Sequence, residues 1–270
     1  MTGNRPIGAG AAVRDAGAAR AELVALATRG VSWAGYTGRF PRPLAPGRPA
    51  AVLVLFGVLD ALPAHHQGGT APQDLDILLV GRAATLTHHS GQVAFPGGRL
   101  DAGDAGPAAA AVREAVEETG LDATGVEVLG TLGELPVPVS DHLVTPVLAW
   151  WSQPSPVDVV DVGESATVFR APVADLLDPH RRRTALYRHG PGAASSTGSP
   201  AFLVGRHLVW GFTAIVLSTL FDELGWTEPW DRGRTVDAPV ASGGDGVLAV
   251  SGGNFSAGRQ IAPPAELRHS

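Results

Sequence analysis

The chain contains no cysteine. Disulfides, thiolate metal sites and cysteine nucleophiles are therefore excluded, and nothing in the sequence points to an oxidising compartment. Lysine is absent too, all 20 basic residues being arginine. This excludes a Schiff-base lysine and a phosphate-loop lysine from any mechanism. Basic charge is outweighed, and a net charge of -6 leaves no basic footprint for nucleic acid. The uncharged stretch beginning at Gly211 is shorter than the run of about 20 apolar residues that a membrane helix needs. Residues 1–12 lack the charged start and apolar core of a secretory signal, so the expected location is the cytoplasm. What is present is ample material for a core: 44% of the 270 residues are hydrophobic, enough for one or two domains.

The richest stretch is 92–121, QVAFPGGRLDAGDAGPAAAAVREAVEETGL. Residues 93–95 read as a short strand, Pro96-Gly97-Gly98 as a turn, and Pro107 suits the first turn of a helix. Val112, Ala115, Val116 and Thr119 recur at three- and four-residue spacing, which predicts the buried face of that helix, with Gly120 as its stop. Glu114, Glu117 and Glu118 stand at i, i+3 and i+4, so their carboxylates are expected to converge on one side and repel. Two groups could compensate. Arg113 precedes Glu117 by four residues, and a hard divalent cation would accept all three carboxylates as oxygen ligands. Taken alone, the same spacing also describes a solvated acidic helix face.

The segment REAVEETGL after a Pro-Gly-Gly turn resembles the Nudix box, G-x(5)-E-x(7)-R-E-U-x-E-E-x-G-U with U apolar. Arg113, Glu114, Ala115, Glu117, Glu118, Gly120 and Leu121 match it, whereas Asp104 stands where the pattern has glutamate and lies one residue farther from Arg113. That aspartate and longer spacing resemble the coenzyme A diphosphatase branch of the family. So does the upstream run Leu79-Val80-Gly81-Arg82, Leu86, His89 and Gly91 to Gly98, with Asp101 and Asp104 following and Ala83 replacing the branch's serine. Three downstream segments, LPVPVSDHLVTPV, ESATVFRAPVADLLDP and VWGFTA, are similar to branch segments in the same order, so the resemblance spans about residues 50–224.

The resemblance implies an α/β fold, a Nudix α/β/α sandwich around a mixed β-sheet, with the box helix on one side and the helix from Gly211 on the other. It implies Mg2+ or Mn2+ held by Gly98 through its carbonyl and by Glu114, Glu117 and Glu118. Arg113, Glu117 and Glu164 form the expected catalytic set, Glu164 as base or additional metal ligand. Arg82, His89, Phe95 and Ser140 are expected at the substrate. The expected partner is a small molecule: coenzyme A or acyl-coenzyme A, cleaved to 3',5'-ADP and 4'-phosphopantetheine. ADP-ribose or NADH is the alternative substrate class, and a non-catalytic nucleotide sensor the alternative role. Many relatives are dimers, which leaves a homodimer open.

Around this stretch, 13–28 predicts a helix with Ala18, Leu23, Leu26 and Ala27 loosely periodic, and 41–49 a proline-rich connector. Residues 50–59 and 75–80 read as strands, the first apolar enough to be buried on both faces, with a polar insertion at 61–73 that contains His65 and His66. Strands are also expected at 125–135 and 143–151, with a loop at 136–140 between them. Trp150 and Trp151 could stack on adenine, although strand tryptophans usually pack and at most one of two neighbours faces inward. His88 and His89 lie between strand and catalytic loop. The arginines at 181–183 and 188 are expected in a loop, where they could recruit a 3'-phosphate or simply be solvated. The expected division is 1–49 helix and connector, 50–227 hydrolase domain, and 228–270 a flexible Gly/Ala/Ser-rich tail.

Overall fold

The computed structural model describes residues 16–33, 47–59, 74–82, 92–137, 140–161, 165–188 and 196–239. All of them but Pro239 belong to a unit ending at Ala238. At its centre is β1 (Arg48–Val58), whose apolar run alternates between two cores. Leu53 and Leu55 face one, Val54 and Phe56 the other, and all four are fully buried. Burying side chains of this size stabilises the fold by about 1.5–3 kcal/mol each, so a strand apolar at every position is stable only between two covering layers.

The remaining strands are β2 (Leu75–Arg82), β3 (Val93–Ala94), β4 (Gly97–Arg99), β5 (Val126–Thr131), β6 (Leu135–Val137), β7 (His142–Trp151) and β8 (Ser165–Pro172). The sheet order is β3-β2-β1-β7-β5, with β4 paired to β1, β6 to β7 and β8 to β2. β1 and β7 run parallel and the other pairs antiparallel, so the sheet is mixed. The parallel pair needs a crossover, and α2 (Pro107–Thr119) provides it. Pro107 opens this helix and Gly120, at φ 68, closes it with its N–H on the Val116 carbonyl.

α2 covers the first core through Ala110, Ala111 and Ala115, against Leu53, Leu55 and Trp151. The opposite face carries α1 (Ala16–Arg29) and α4 (Gly211–Glu223), with Leu23, Leu26, Leu217, Leu220 and Phe221 against Phe56, Leu148 and Trp150. Three layers result, and the architecture is the α/β/α sandwich with a mixed sheet. A short α3 (Val173–Leu177) follows β8. No described helix is long and apolar enough to cross a membrane.

Several local expectations are corrected. Val116 is 37% exposed, and Ala110 and Ala111 take its place on the buried face. In α1 Ala19 is buried and Ala18 exposed. Gly97-Gly98 is not only a turn, because β4 pairs with Ala50–Val52 of β1. Residues 123–125 form a 3-10 turn rather than the start of a strand, and Pro136 and Val137 belong to β6 rather than to a loop. Trp150 and Trp151 are both buried, one in each core, so neither stacks on a ligand. The connector at 41–46, the insertion at 61–73 and the histidines at 65, 66, 88 and 89 lie outside the described residues.

A second sheet, not anticipated, runs β11-β10-β9-β12: β9 (Arg182–Arg188), β10 (Ser196–Val204), β11 (His207–Val209) and β12 (Thr235–Asp237). It absorbs two expectations at once. The arginines expected in a loop lie in or beside β9, and Asp231 to Asp237, expected as tail, brings β12 parallel to β9. Arg182 is 1% exposed, with its guanidinium carbon 4.4 Å from the Phe202 ring centroid and 4.8 Å from that of Trp230. Burial pulls its pKa down to about 10, which still leaves a cation at neutral pH. Nη2 donates to Ser218 Oγ, whereas Nε and Nη1 are buried without a hydrogen-bond partner among the described residues.

Arg182 therefore acts chiefly by filling space between two aromatic rings. Arg182→Met should stay within about 1.5 kcal/mol of the parent. Arg182→Ala should lose about 2–4 kcal/mol in chemical denaturation. Equal losses for both variants would show that the charge, and not the packing, matters.

Candidate active site

The site is built where β4 meets α2. Pairing of β4 with β1 sets Gly98 opposite Ala51, whose side chain faces α2. A Cβ added at Gly98 would lie 2.4 Å from Cδ of Glu114, so the carboxyl group occupies the room that a side chain would take. Gly97 is constrained from the other direction, since a Cβ there would meet the Ala51 carbonyl oxygen at 2.4 Å and the Val52 Cα at 2.6 Å. The two glycines let the strand lie against β1 and the helix carboxylate lie against the strand.

Arg113 organises the charges. Its Nε donates to Asp104 Oδ1 and its Nη2 to Asp104 Oδ2, both at 3.0 Å, a two-pronged pairing of guanidinium with carboxylate. Nη1 donates to Glu114 Oε1 and Glu117 Oε2, each at 3.1 Å, and Nη2 also reaches the Arg99 carbonyl at 3.1 Å. Glu118 Oε2 accepts from the Gly97 N–H at 3.1 Å. Asp104 additionally accepts from the Asp101 N–H, and its side chain is only 7% exposed. Hydrogen bonding from Arg113, then from the Asp101 backbone, holds its carboxyl below the usual range. The Arg113 pKa is raised in turn, first by its bond to Asp104 and less by that to Glu114, against an opposing effect of burial. Glu114 shifts the other way: burial raises its pKa, Arg113 opposes this, and the nearby Glu117 charge adds to it.

The helix thus brings Glu114, Glu117 and Glu118 to the β4 rim. It does not gather them into one cluster as the spacing predicts: among the described residues no three acidic or imidazole groups meet at metal-ligand spacing. Arg113 Nη1 stands between Glu114 and Glu117, and Glu118 turns to the Gly97 amide. The donor set nevertheless fits a hard divalent cation. It is all oxygen, and a half-buried carboxyl destabilised by desolvation and a like charge is one that a cation would relieve.

Other expected residues divide. Ser140 is half-buried beside the site end of β7, its hydroxyl donating to the Val137 carbonyl and its own carbonyl accepting from Arg48 Nη2 at 3.2 Å. Phe95, expected at the substrate, is 2% exposed and packs in the core beneath α4. The Arg82 backbone pairs with Ser165, the residue after Glu164. Glu164 and His89 themselves lie outside the described residues. The pairing of Asp104 with Arg113 is not legible in the sequence. The signal was the aspartate's distance of nine residues from Arg113, visible as a departure from the box but not as a partner.

An acidic helix set against a Gly-Gly strand, with one arginine tying its carboxylates together inside an α/β/α sandwich, is the architecture of a Nudix-type hydrolase. The NUDIX domain family model matches residues 67–185. An uncharacterized Nudix hydrolase NudL of Cronobacter sakazakii is 35% identical, the match covering 55% of this chain and 75% of that protein. That of Shigella flexneri is 36% identical over 56% of this chain and 76% of its own. The chain belongs to the Nudix hydrolase family, whose members use divalent metal ions to hydrolyse phosphorus anhydrides of small molecules. Among solved structures it is similar to a Nudix hydrolase from M. smegmatis, at 27% identity and TM-score 0.37 over 48% of this chain and 74% of that one. A MutT/nudix family protein from Enterococcus faecalis matches at 18% identity and TM-score 0.42, over 76% and 74%.

The two glycines should respond differently to alanine. In Gly98→Ala the obstacle is the far end of a flexible glutamate, so melting should stay near that of the parent while activity falls about 10- to 100-fold. In Gly97→Ala the obstacle is backbone, and folding should lose about 2 kcal/mol or more. Thermal melting alongside steady-state kinetics checks both. Equal melting losses would contradict this account of the site.

Proposed function

We propose that the protein hydrolyses the diphosphate bond of coenzyme A or acyl-coenzyme A, releasing 3',5'-ADP and 4'-phosphopantetheine. The observation that carries this reading is the Asp104–Arg113 fork. It gives a physical role to the aspartate and the longer spacing by which the chain departs from the general Nudix box, and that departure resembles the coenzyme A diphosphatase branch. The run from Gly91 to Gly98 supports the same branch.

Glu114, Glu117 and Glu118, with the Gly98 carbonyl, would hold Mg2+ or Mn2+. The cation would neutralise the diphosphate and lower the pKa of a bound water. Arg113 keeps its neighbouring carboxylates in place through four side-chain hydrogen bonds, two to Asp104 and one each to Glu114 and Glu117. Glu164 would take the proton of the attacking water as the P–O bond to the leaving phosphate breaks. Arg82, His89 and Ser140 would contact the substrate. The intact acidic set argues against a silent sensor, which needs no such groups. The hydrolase domain proposed at 50–227 extends on this reading to Ala238, since β12 completes the second sheet.

The test is a Mg2+-dependent assay with coenzyme A, ADP-ribose and NADH side by side, the products separated by chromatography. Preference for coenzyme A with 3',5'-ADP as product is expected, and preference for either of the others would overturn the substrate assignment. Glu118→Gln should lower turnover by about 1,000-fold, a loss of several kcal/mol of charge stabilisation, with an unchanged circular dichroism spectrum.

A further inference from the structure

Three of the arginines that the sequence offered for a third phosphate group, those at 181–183, are already engaged. Arg181 pairs with Asp175 and Asp178, Arg182 is buried between rings, and Arg183 Nη1 is bound to the carbonyls of His180 and Arg182. A different basic group stands at the site itself. Arg48 opens β1, His142 is its partner at the start of β7, and Arg99 ends β4 opposite Ala50.

The pleat puts these three on one face. Ala51 and Gly98 are a pair directed to α2, so Ala50 and Arg99, the next pair, point to the other face, as does Arg48 two residues from Ala50. His142, in register with Arg48, shares that face. Arg48 and Arg99 are exposed and His142 half-buried. Among the described residues neither guanidinium pairs with a carboxylate; that of Arg48 donates to the Ser140 carbonyl, and the Arg48 backbone N–H to the Asp141 carbonyl. The counter-charge at hand is Asp141, exposed and next to His142. The His142 pKa is lowered first by burial and then by Arg48 and Arg99, against a smaller opposing effect of Asp141, so the cations outweigh the anion there. In a chain of net charge -6, two exposed guanidiniums beside a half-buried imidazole, with one acid at hand, offer an anion a local surplus of positive charge.

The Arg99 carbonyl is bound by Arg113, so this group stands one residue from Gly98, across the thin β4 rim from the acidic helix. We propose that Arg48, Arg99 and His142 form a subsite for a phosphomonoester of the substrate, separate from the diphosphate held at α2. This rests on the function proposed above, in which the phosphomonoester is the 3'-phosphate of coenzyme A. A substrate crossing the rim has its diphosphate at the carboxylates and this phosphate on the arginine face. The guanidinium forks match phosphate oxygens in geometry as well as charge.

The experiment is calorimetric titration of the full chain, in Mg2+, with adenosine 3',5'-bisphosphate and with 5'-AMP, for the parent, Arg48→Gln, Arg99→Gln and the double variant. The parent should bind the bisphosphate about tenfold more tightly than AMP, and the double variant should bind the two within about twofold, each charge-assisted contact being lost. Melting curves establish that the variants are folded, and a ratio of two affinities does not move with a merely structural loss. Equal affinities in the parent, or an unchanged ratio in the double variant, would overturn the subsite. Loss of the preference in a protein that fails to hydrolyse coenzyme A leaves the subsite standing and removes the proposed substrate. Hydrolysis of coenzyme A with an unmoved ratio does the reverse.

Discussion

One guanidinium faces four carboxylates. Asp104, Glu114, Glu117 and Asp101 all lie within 4 Å of Arg113 nitrogens, and Glu118 is held nearby by the Gly97 amide. Like charges three and four residues apart destabilise a helix by a few tenths of a kcal/mol per pair, so α2 depends on Arg113 to keep its acids in place. The same side chain ties the helix to the loop before it through Asp104 and to β4 through the Arg99 carbonyl. Positioning of the acids, the loop and the Gly-Gly strand is therefore one arrangement.

That arrangement is anchored by the sheet beneath it. β1 packs α2 on one face and α4 and α1 on the other, and its first half carries β4 while its second half carries β2. The site sits at the β4 end. At the other end the buried Asp76 is paired with Arg170 at 2.6 Å, and the Arg170 guanidinium lies over Trp151 at 5.2 Å. This ion pair ties β2 to β8 far from the acids. Charges at one end of the sheet pair one to one, whereas at the site end acids outnumber bases on one face and bases outnumber acids on the other.

Periodicity was enough to find β1, β2, α2 and α4, because each buries a continuous apolar face whose spacing is local. Resemblance added the layer order and the identity of the acids. What could not be read was whatever depends on partners distant in sequence. Val116 has helical spacing for burial, but the neighbouring alanines let β1 approach closely and rotate it outward. The arginines near 182 look like a solvated loop until β10 and β12 enclose them. Three acids at i, i+3 and i+4 suggest convergence, yet the spacing says nothing of Arg113 turning between two of them or of the Gly97 amide capturing the third. Arg48, Arg99 and His142 span almost a hundred residues of sequence, and only the β1 pairings bring them together.

Held in place by Arg113, the acids of α2 should act as cation ligands. The decisive experiment is titration of the full chain with Mn2+ in the absence of substrate, followed by the loss of the free-ion paramagnetic resonance signal. Saturable binding in the parent, weakened at least about tenfold in Glu114→Gln and in Glu118→Gln, is the predicted result. The same binding curve in all three proteins would contradict it, and the carboxylates would then be a helix surface held by one arginine.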